Sequence, residues 1–489
     1  MIWDGKFCGL LLAISLTSSA AAAAVSLTLS PSSGAPTTTF KVSGSGFPDN
    51  TACDIYFDTT DIALAVAGAT GSFSGIVITV PSAAIPGTHY VTAVARGTTG
   101  TSAQAQFTVQ TNWNQFRYSS LHRGRNPYEN VLGTTNVGTI DLDWSYTTGG
   151  ALTSSPAVSG GVVYVGSSDD NLYAINATTG ALQWKFKTGK SIVDSSPAVS
   201  GTTVYIGSTD DNVYAVNSST GAQVWSFVTG GAVNSSPTVS GGTVYIGSGD
   251  DNVYALNATT GALVWKFSTG GAVLSSPAVA NGVVYVGSYD DSVYAINATT
   301  GVEIWKFTTG GKVFSSPAVS EGIVYVGSDD DNFYAIVAKS GTQAWKFAGT
   351  NEFESSPSVF NGSVYVGSDA GVFYALSARN GTQIWSLSAS TAQVVSPPVF
   401  ANGLLYVGIG NSAYAVAQIV TANVYWEGTT GAPVTAAPTV ANGVVYVASQ
   451  DGTLYTFDLN GSTQVKKPPK RPNPASLKPN LALKPANHL

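Results

Sequence analysis

Over residues 141–465 the chain repeats one pattern of apolar runs and polar turns. A single period, residues 275–310, reads SSPAVANG, VVYVGS, SVYAINA and VEIWKFTTG, four short runs each closed by turn residues. Runs of this kind, bounded by Gly, Asn, Asp, Ser or Thr, predict short β-strands. The second and third are apolar at nearly every position, so both of their faces must be buried. A four-stranded sheet covered on both faces by copies of itself is the blade of a β-propeller. The first strand opens on Ser-Ser-Pro-Ala, small side chains suited to an innermost strand crowded around an axis. The fourth carries Trp and Phe, suited to an outer rim where blades diverge.

Two markers hold the period. Tryptophans stand at Trp144, Trp184, Trp225, Trp265, Trp305, Trp345, Trp385 and Trp426, 40 or 41 residues apart, and are expected to pack between blades. The prolines of the Ser-Ser-Pro motif are placed at 156, 197, 237, 277, 317, 357, 397 and 438. Self-similarity at such a spacing is the mark of a repeat architecture. The first Trp strand, 142–146, precedes the first Ser-Ser-Pro, and the last unit, 436–459, has no Trp strand after it. If 142–146 completes the last blade, the ring closes at eight. The fold class expected is all-β: an eight-bladed propeller of ~40-residue repeats at 141–465, preceded by a small β-sandwich.

The flanks have other characters. Residues 1–24, with one lysine, an apolar run from Phe7 to Leu16 and an alanine stretch, fit a secretory signal peptide. No later segment supplies the roughly 18 apolar residues of a spanning helix. Residues 25–110 break short alternating runs with Pro and Gly turns and predict a sandwich of about seven strands. The connector, 111–140, holds Arg117, His122, Arg123 and Arg125, and is expected to pack along the side of the next domain. Residues 466–489 are Pro-rich and basic, the composition of an extended, disordered tail. Removal of the signal leaves Cys53 as the one cysteine, which excludes an internal disulfide and a cysteine-based metal or thiol site. The net charge is −7, with six Lys/Arg and no acid in the tail, so the remaining body stands at −13. An acidic body repels phosphate backbones, so no nucleic-acid partner is expected.

Two stretches carry family resemblances. SPSSGAP, VSGSGF and VPSAAIPGTHYVTA in the first domain resemble Ig-like modules of the IPT/TIG type. The phrase YVGSxDDNxYAxNAxTGxxxWxF resembles the PQQ-like repeat of the quinoprotein propeller superfamily over the whole of 141–465. That resemblance implies an eight-bladed fold. It leaves function open, since the superfamily includes quinone-dependent dehydrogenases and cofactor-free scaffolds such as the propeller lipoprotein of outer-membrane protein assembly. Pyrroloquinoline quinone carries three carboxylates and, in the dehydrogenases, sits on Ca²⁺ beside a catalytic aspartate. Such a site needs cations and a convergent oxygen cage. Residues 141–465 hold one arginine, Arg379, and no histidine, and they lack the vicinal cysteine pair and long insertions of the alcohol-oxidising members. No quinone, calcium or other cofactor is therefore expected, and no catalytic residue.

The remaining motifs read as structure. Twin aspartates recur at 169/170, 210/211, 250/251, 290/291 and 330/331, between the second and third strands. They suggest either a ring of Ca²⁺ sites or hairpin turns. The last unit writes Gly452 where the others have the second Asp, which favours turns, because glycine marks a backbone position and not a ligand. NATTG, at Asn176, Asn257 and Asn297, is an N-x-Thr sequon and also a turn closing on Gly. The histidines lie outside the blades, too far for a Ser-His-Asp hydrolase.

Function is expected where the repeats differ. The position just before each Ser-Ser-Pro reads Thr153, Asp194, Asn234, Leu274, Phe314, Glu354, Val394 and Thr435, with Lys190, Lys312 and Glu352 in the same loops. With alternating strand directions, these loops share a face with the Asp turns and surround one mouth of the central channel. The candidate partner-binding rim is Lys190, Asp194, Asn234, Leu274, Lys312, Phe314, Glu352 and Glu354. The reading is a secreted, periplasmic or cell-surface, monomeric and non-enzymatic scaffold that binds a protein or polysaccharide of the cell envelope. The alternatives are a quinoprotein oxidoreductase and a structural component of a surface layer.

Overall fold

In the computed structural model the described residues are 24–98, 100–388, 394–417, 423–459 and 470–477. The expected signal peptide, Ala24 apart, lies outside them. Each repeat folds as the apolar pattern requires. Ala278–Ala280, Val283–Ser288, Ser292–Asn297 and Glu303–Thr308 form one antiparallel sheet in that order. Its middle strands are buried almost throughout, while the fourth is mostly exposed around a buried Trp305. Eight sheets with this four-strand core occur among the described residues. They are numbered here as units 1 to 8 by their innermost strands, from Ala157–Ser159 to Thr439–Ala441. Unit 8 takes its outer strand from Asp141–Thr147, antiparallel to Thr453–Asp458. Innermost strands touch in sequence order, and that of unit 8 touches that of unit 1.

Neighbouring units are fastened by the repeated side chains. Trp225 Nε1 and Tyr205 Oη both donate to the Ala258 carbonyl of the next unit, at 3.0 and 2.9 Å. The Trp225 ring rests on Gly261, where a Cβ would lie 2.7 Å from its Cδ2. Equivalent Trp bonds run from Trp144, Trp184, Trp265, Trp305 and Trp345. Trp426 instead donates to Ile140 O at 3.2 Å, immediately before the Asp141–Thr147 strand that unit 8 takes from the N-terminal side. Trp385 is likewise buried.

The twin aspartates divide the work. The second of each pair sits at positive φ, +61° to +70°, as does Gly452 at +82°, which is the turn role expected of it. The first is a clasp: Asp250 Oδ2 accepts from Gly230 N of the preceding unit (2.7 Å) and from Tyr254 Oη (2.5 Å). Burial pushes the Asp250 carboxyl up, but the tyrosine hydroxyl and the other hydrogen bonds hold it below the usual carboxylate range. At Asn257 the side-chain Oδ1 accepts from Thr259 N and Thr260 N, closing the NATTG turn.

The N-terminal domain is two sheets around one core. Ser26–Ser30, Thr39–Ser45 and Phe73–Thr79 form the first. Ala52–Phe57, Thr60–Val66, Gly87–Ala95 and Ser102–Val109 form the second, extended by the two-residue Ser33–Gly34, a strand too short to show in the pattern. Phe40, Ile55, Val91 and Phe107 are among the side chains filling the space between. Cys53 is buried there, and burial raises its thiol to about 11, an inert side chain.

One expectation about the flanks fails. The connector does not pack along the side of the ring; it crosses one end of the axis. It bonds the innermost strands in turn: Val158 N to Trp113 O (2.8 Å), Val199 N to Asn114 O (2.6 Å), Val279 N to Ser120 O (2.6 Å), Val319 N to Leu121 O (2.9 Å) and Phe400 N to Gly124 O (2.6 Å). The inner edges of eight short strands leave backbone groups unpaired around the axis, and the connector satisfies them. Of the tail expected to be disordered, residues 466–469 and 478–489 lie outside the described residues, and 470–477 lies against the sandwich. There Arg471 Nε donates to Gln104 Oε1 (2.6 Å) and Gln104 Nε2 to Pro472 O (2.9 Å).

Candidate functional site

The Ser-Ser-Pro serines do more than save space. The first locks a unit to the next, as in Ser235 Oγ to Ser275 O at 3.1 Å. The second accepts from the preceding unit, Ser196 N to Ser236 Oγ at 2.9 Å, and Ala437 N to Ser155 Oγ (2.9 Å) carries the series across the closure. Pro397, which has no N–H, occupies the second serine's place in unit 7, where Ala437 of unit 8 offers no hydroxyl. The motif proline of that unit is Pro398, preceding the strand Val399–Ala401, and not Pro397. The sequence register slips by one here because the loop into unit 7 is one residue longer. Val394 is consequently buried, and Val395 takes the rim position.

These strands enclose an axial cavity of about 260 Å³. Thr153, Asp194, Asn234, Leu274, Phe314, Glu354, Val395 and Thr435 line its mouth, the second serines of units 1 and 3 to 6 line the wall, and Phe116 of the connector forms the floor. The structure thus brings Asp194, Asn234, Leu274, Phe314 and Glu354 of the expected rim together. It sets Lys190, Lys312 and Glu352 outside the lining. Lys190 is exposed, and Lys312 extends its Nζ over the Tyr289 ring at 5.0 Å from the centroid. Phe116, the serines and Gln450 were not anticipated. Only the Trp-Asn-Gln-Phe run near the start of the connector, Trp113 to Phe116, hints at such a floor, and it names no position on the axis.

The mouth is electronegative. Burial, then the carboxylates of Asp369, Asp329, Glu352 and Asp194, push Glu354 up to about 7. Asp329 and Asp369 are raised to about 6 by burial and by Glu352. Burial also raises Asp194, against the effect of hydrogen bonds from Thr153 and Asn234. Glu352, Glu354 and Asp369 bring one carboxylate oxygen each within 4.8 Å of one another, the one group among the described residues spaced to share a cation. A quinone tricarboxylate does not fit the cavity: its lining presents two carboxylates and no Lys, Arg or His.

At the other end of the axis Arg117 and His122 are fully buried. Arg117 donates to His122 O (3.0 Å), Ser356 O (3.1 Å) and Pro357 O, and burial lowers it to about 9. His122 Nε2 pairs with Thr238 Oγ1 at 2.9 Å, and burial, then Arg117, drops it to about 3. These groups bind the connector in place and have no access to a substrate.

A family model described as outer membrane protein assembly factor BamB matches residues 135–232, 209–314, 290–399 and 389–468. No curated protein matches the chain. Among solved structures, BamB from Moraxella catarrhalis is similar at 17% identity and a TM-score of 0.56, covering 66% of this chain and 98% of that one. A europium-containing methanol dehydrogenase is similar at 13% and 0.62, covering 71% and 98%. The quinohemoprotein alcohol dehydrogenase from Comamonas testosteroni is similar at 16% and 0.62, covering 73% and 82%. At these identities the likeness is one of fold.

Proposed function

The chain belongs to the family of outer membrane protein assembly factor BamB, and from that membership we propose that it is a non-enzymatic scaffold of the cell envelope, secreted or periplasmic, that holds a protein or glycan partner. In this reading residues 25–110 are an Ig-like module and residues 141–465 an eight-bladed, PQQ-like propeller that works as a monomer. The observation that carries the reading is the axial cavity, closed by Phe116 at one end and open at a mouth whose residues differ from unit to unit. Locking residues repeat because every interface needs them; unlike residues around one opening supply the few placed polar groups that recognition requires. The carboxylates of Asp194 and Glu354 oppose the quinone of the dehydrogenases that share the fold, so no reaction is assigned.

The test is capture of partners from the native envelope by the full chain and by a variant with Lys312, Phe314 and Glu354 changed together to Ala. Retention by the wild type and loss by the variant, at unchanged circular dichroism, is the expected result. Pyrroloquinoline quinone with Ca²⁺ is the opposing arm. A stoichiometric quinone absorbance with dye reduction by alcohols or sugars makes the protein an oxidoreductase instead. Ordered self-association at high concentration makes it a surface-layer component.

A further inference from the structure

We propose that the axial cavity binds a small organic cation, an ammonium or guanidinium group carried on an apolar stem, seated between Asp194 and Glu354. The proposal deepens the scaffold reading and rests on the open mouth described there. Asp194 belongs to unit 2 and Glu354 to unit 6, so in a closed series of eight they stand four units apart, across the axis from one another. Neither makes an ion pair among the described residues. Of the rim-loop lysines, Lys312 is drawn aside over Tyr289 and Lys190 is exposed, and neither lines the cavity. Leu274 and Phe314 fill one arc of the mouth between the two carboxylates, and Phe116 closes the bottom.

This combination selects a chemistry. A bare or hydrated inorganic cation meets the carboxylates and leaves the aromatic floor and the apolar arc unused. An anion meets two like charges in a walled site where water screens poorly. A neutral apolar molecule leaves both carboxylates without a counter-charge, and burial, then Asp369, Asp329 and Glu352, already disfavour the charged form of Glu354. An organic cation satisfies both halves, and aromatic faces add attraction for it. The volume of about 260 Å³ equals some nine waters at roughly 30 Å³ each, room for a lysine or arginine side chain or for a free aralkylamine. Both sources offer the same group, and the experiment separates them.

The full chain is titrated calorimetrically at pH 8 with phenethylamine, 2-phenylethanol, phenylacetate, CaCl₂ and the peptide acetyl-Gly-Gly-Arg-Gly-Gly-amide. Phenethylamine, the peptide or both are expected to bind at least tenfold more tightly than the alcohol, with no heat from phenylacetate. A tighter peptide identifies a polypeptide source, a tighter amine a free one. The double variant D194N/E354Q should lose at least tenfold. Should that variant not fold, wild-type affinity for the amine should fall at least fivefold from pH 8 to pH 5.5, as Glu354 takes up its proton. Equal binding of amine and alcohol, amine binding that survives the variant and acidification, or displacement of the amine by equimolar Ca²⁺ overturns the proposal. Failure of every titration alongside rim-dependent partner capture overturns this inference alone and leaves the scaffold standing.

Discussion

Two glycines in different turns of the same unit should respond very differently to a methyl group. Gly241 and Gly261 both sit in the left-handed region, at φ +57° and +72°. A Cβ on Gly241 meets nothing within 4 Å, whereas one on Gly261 falls 2.7 Å from Cδ2 and 2.9 Å from Cγ of Trp225 in the preceding unit. Placing an L-residue at such a φ costs about 1–2 kcal/mol at either position. At Gly261 the overlap adds about 1–3 kcal/mol, since Trp225 is held by its bond to Ala258 O and by the Tyr205 ring 5.7 Å away. G241A should therefore destabilise by about 1–2 kcal/mol and G261A by about 2–5 kcal/mol. The chain itself supports the first figure, because Asn281, Asn361, Asn402 and Asn442 occupy the Gly241 position in other units at φ +42° to +57°. Denaturant midpoints compare the pair on one scale. In a W225A background the excess cost of G261A should shrink, because the ring it strikes is gone. Equal midpoint shifts for G241A and G261A in the wild-type background would refute the claim that Trp on Gly joins the units.

The other predictions concern closure, the connector and pH. Deleting residues 141–147 removes the outer strand of unit 8 and the hold of Trp144 on Ala177 O of unit 1; the melting temperature of the whole ring should drop, and an unchanged value refutes the closure. Arg117→Met strips the donors from three buried carbonyls, at about 1–3 kcal/mol each, and should speed hydrogen exchange in the innermost strands of units 6 and 7; protection equal to wild type contradicts the connector's role. His122 has a folded pKa of about 3 against an ordinary 6.5. The unfolded chain takes up this proton between those values and the folded chain does not, so stability is full above pH 6.5 and is lost as pH falls toward 3, by up to about 1.4 kcal/mol per unit. Its ring resonances should stay flat from pH 8 to 4.5, and titration near 6.5 sinks the assignment.

The sequence made the ring legible where side chains repeat. The Trp spacing, the apolar middle strands and the missing last Trp strand locate the sheets and the outer strand of unit 8, because each of these signals is a side-chain requirement repeated at one period. Gly452 in place of a second Asp likewise pointed to a turn backbone, and the second Asp of each pair has the positive φ of one. The connector was misplaced because its bonds to the inner strands run mostly between backbone atoms, which write no pattern into sequence. Its traces are small: Thr238 and Ser358 stand where half of the units have Ala, and each bonds the connector, through His122 and through Arg123 O. At Val394 and Pro397 the repeat takes a 41-residue step, and two adjacent prolines conceal which of them keeps the period. Lys190 and Lys312 share loops with the mouth, but loop membership does not fix side-chain direction.

A ring built from copies acquires a function only where it breaks its own symmetry, and the breaks here divide into two sets. At the connector end, Thr238, Ser358 and Thr439 replace Ala, and each has a bond that explains it, the last to Pro156 O at 2.6 Å. At the open mouth, Leu274, Phe314 and Glu354 replace one another at equivalent positions, and no hydrogen bond or ion pair among the described residues engages Glu354. A buried charge without such a partner costs stability, and Glu354, half-buried among other carboxylates, carries part of that cost at neutral pH. Folding gives no reason to place it there, since Thr, Asn and Val serve the same position in other units. The departures that the fold explains lie at the closed end of the axis, and those it does not explain surround the opening, which is where an occupant from outside the chain would meet them.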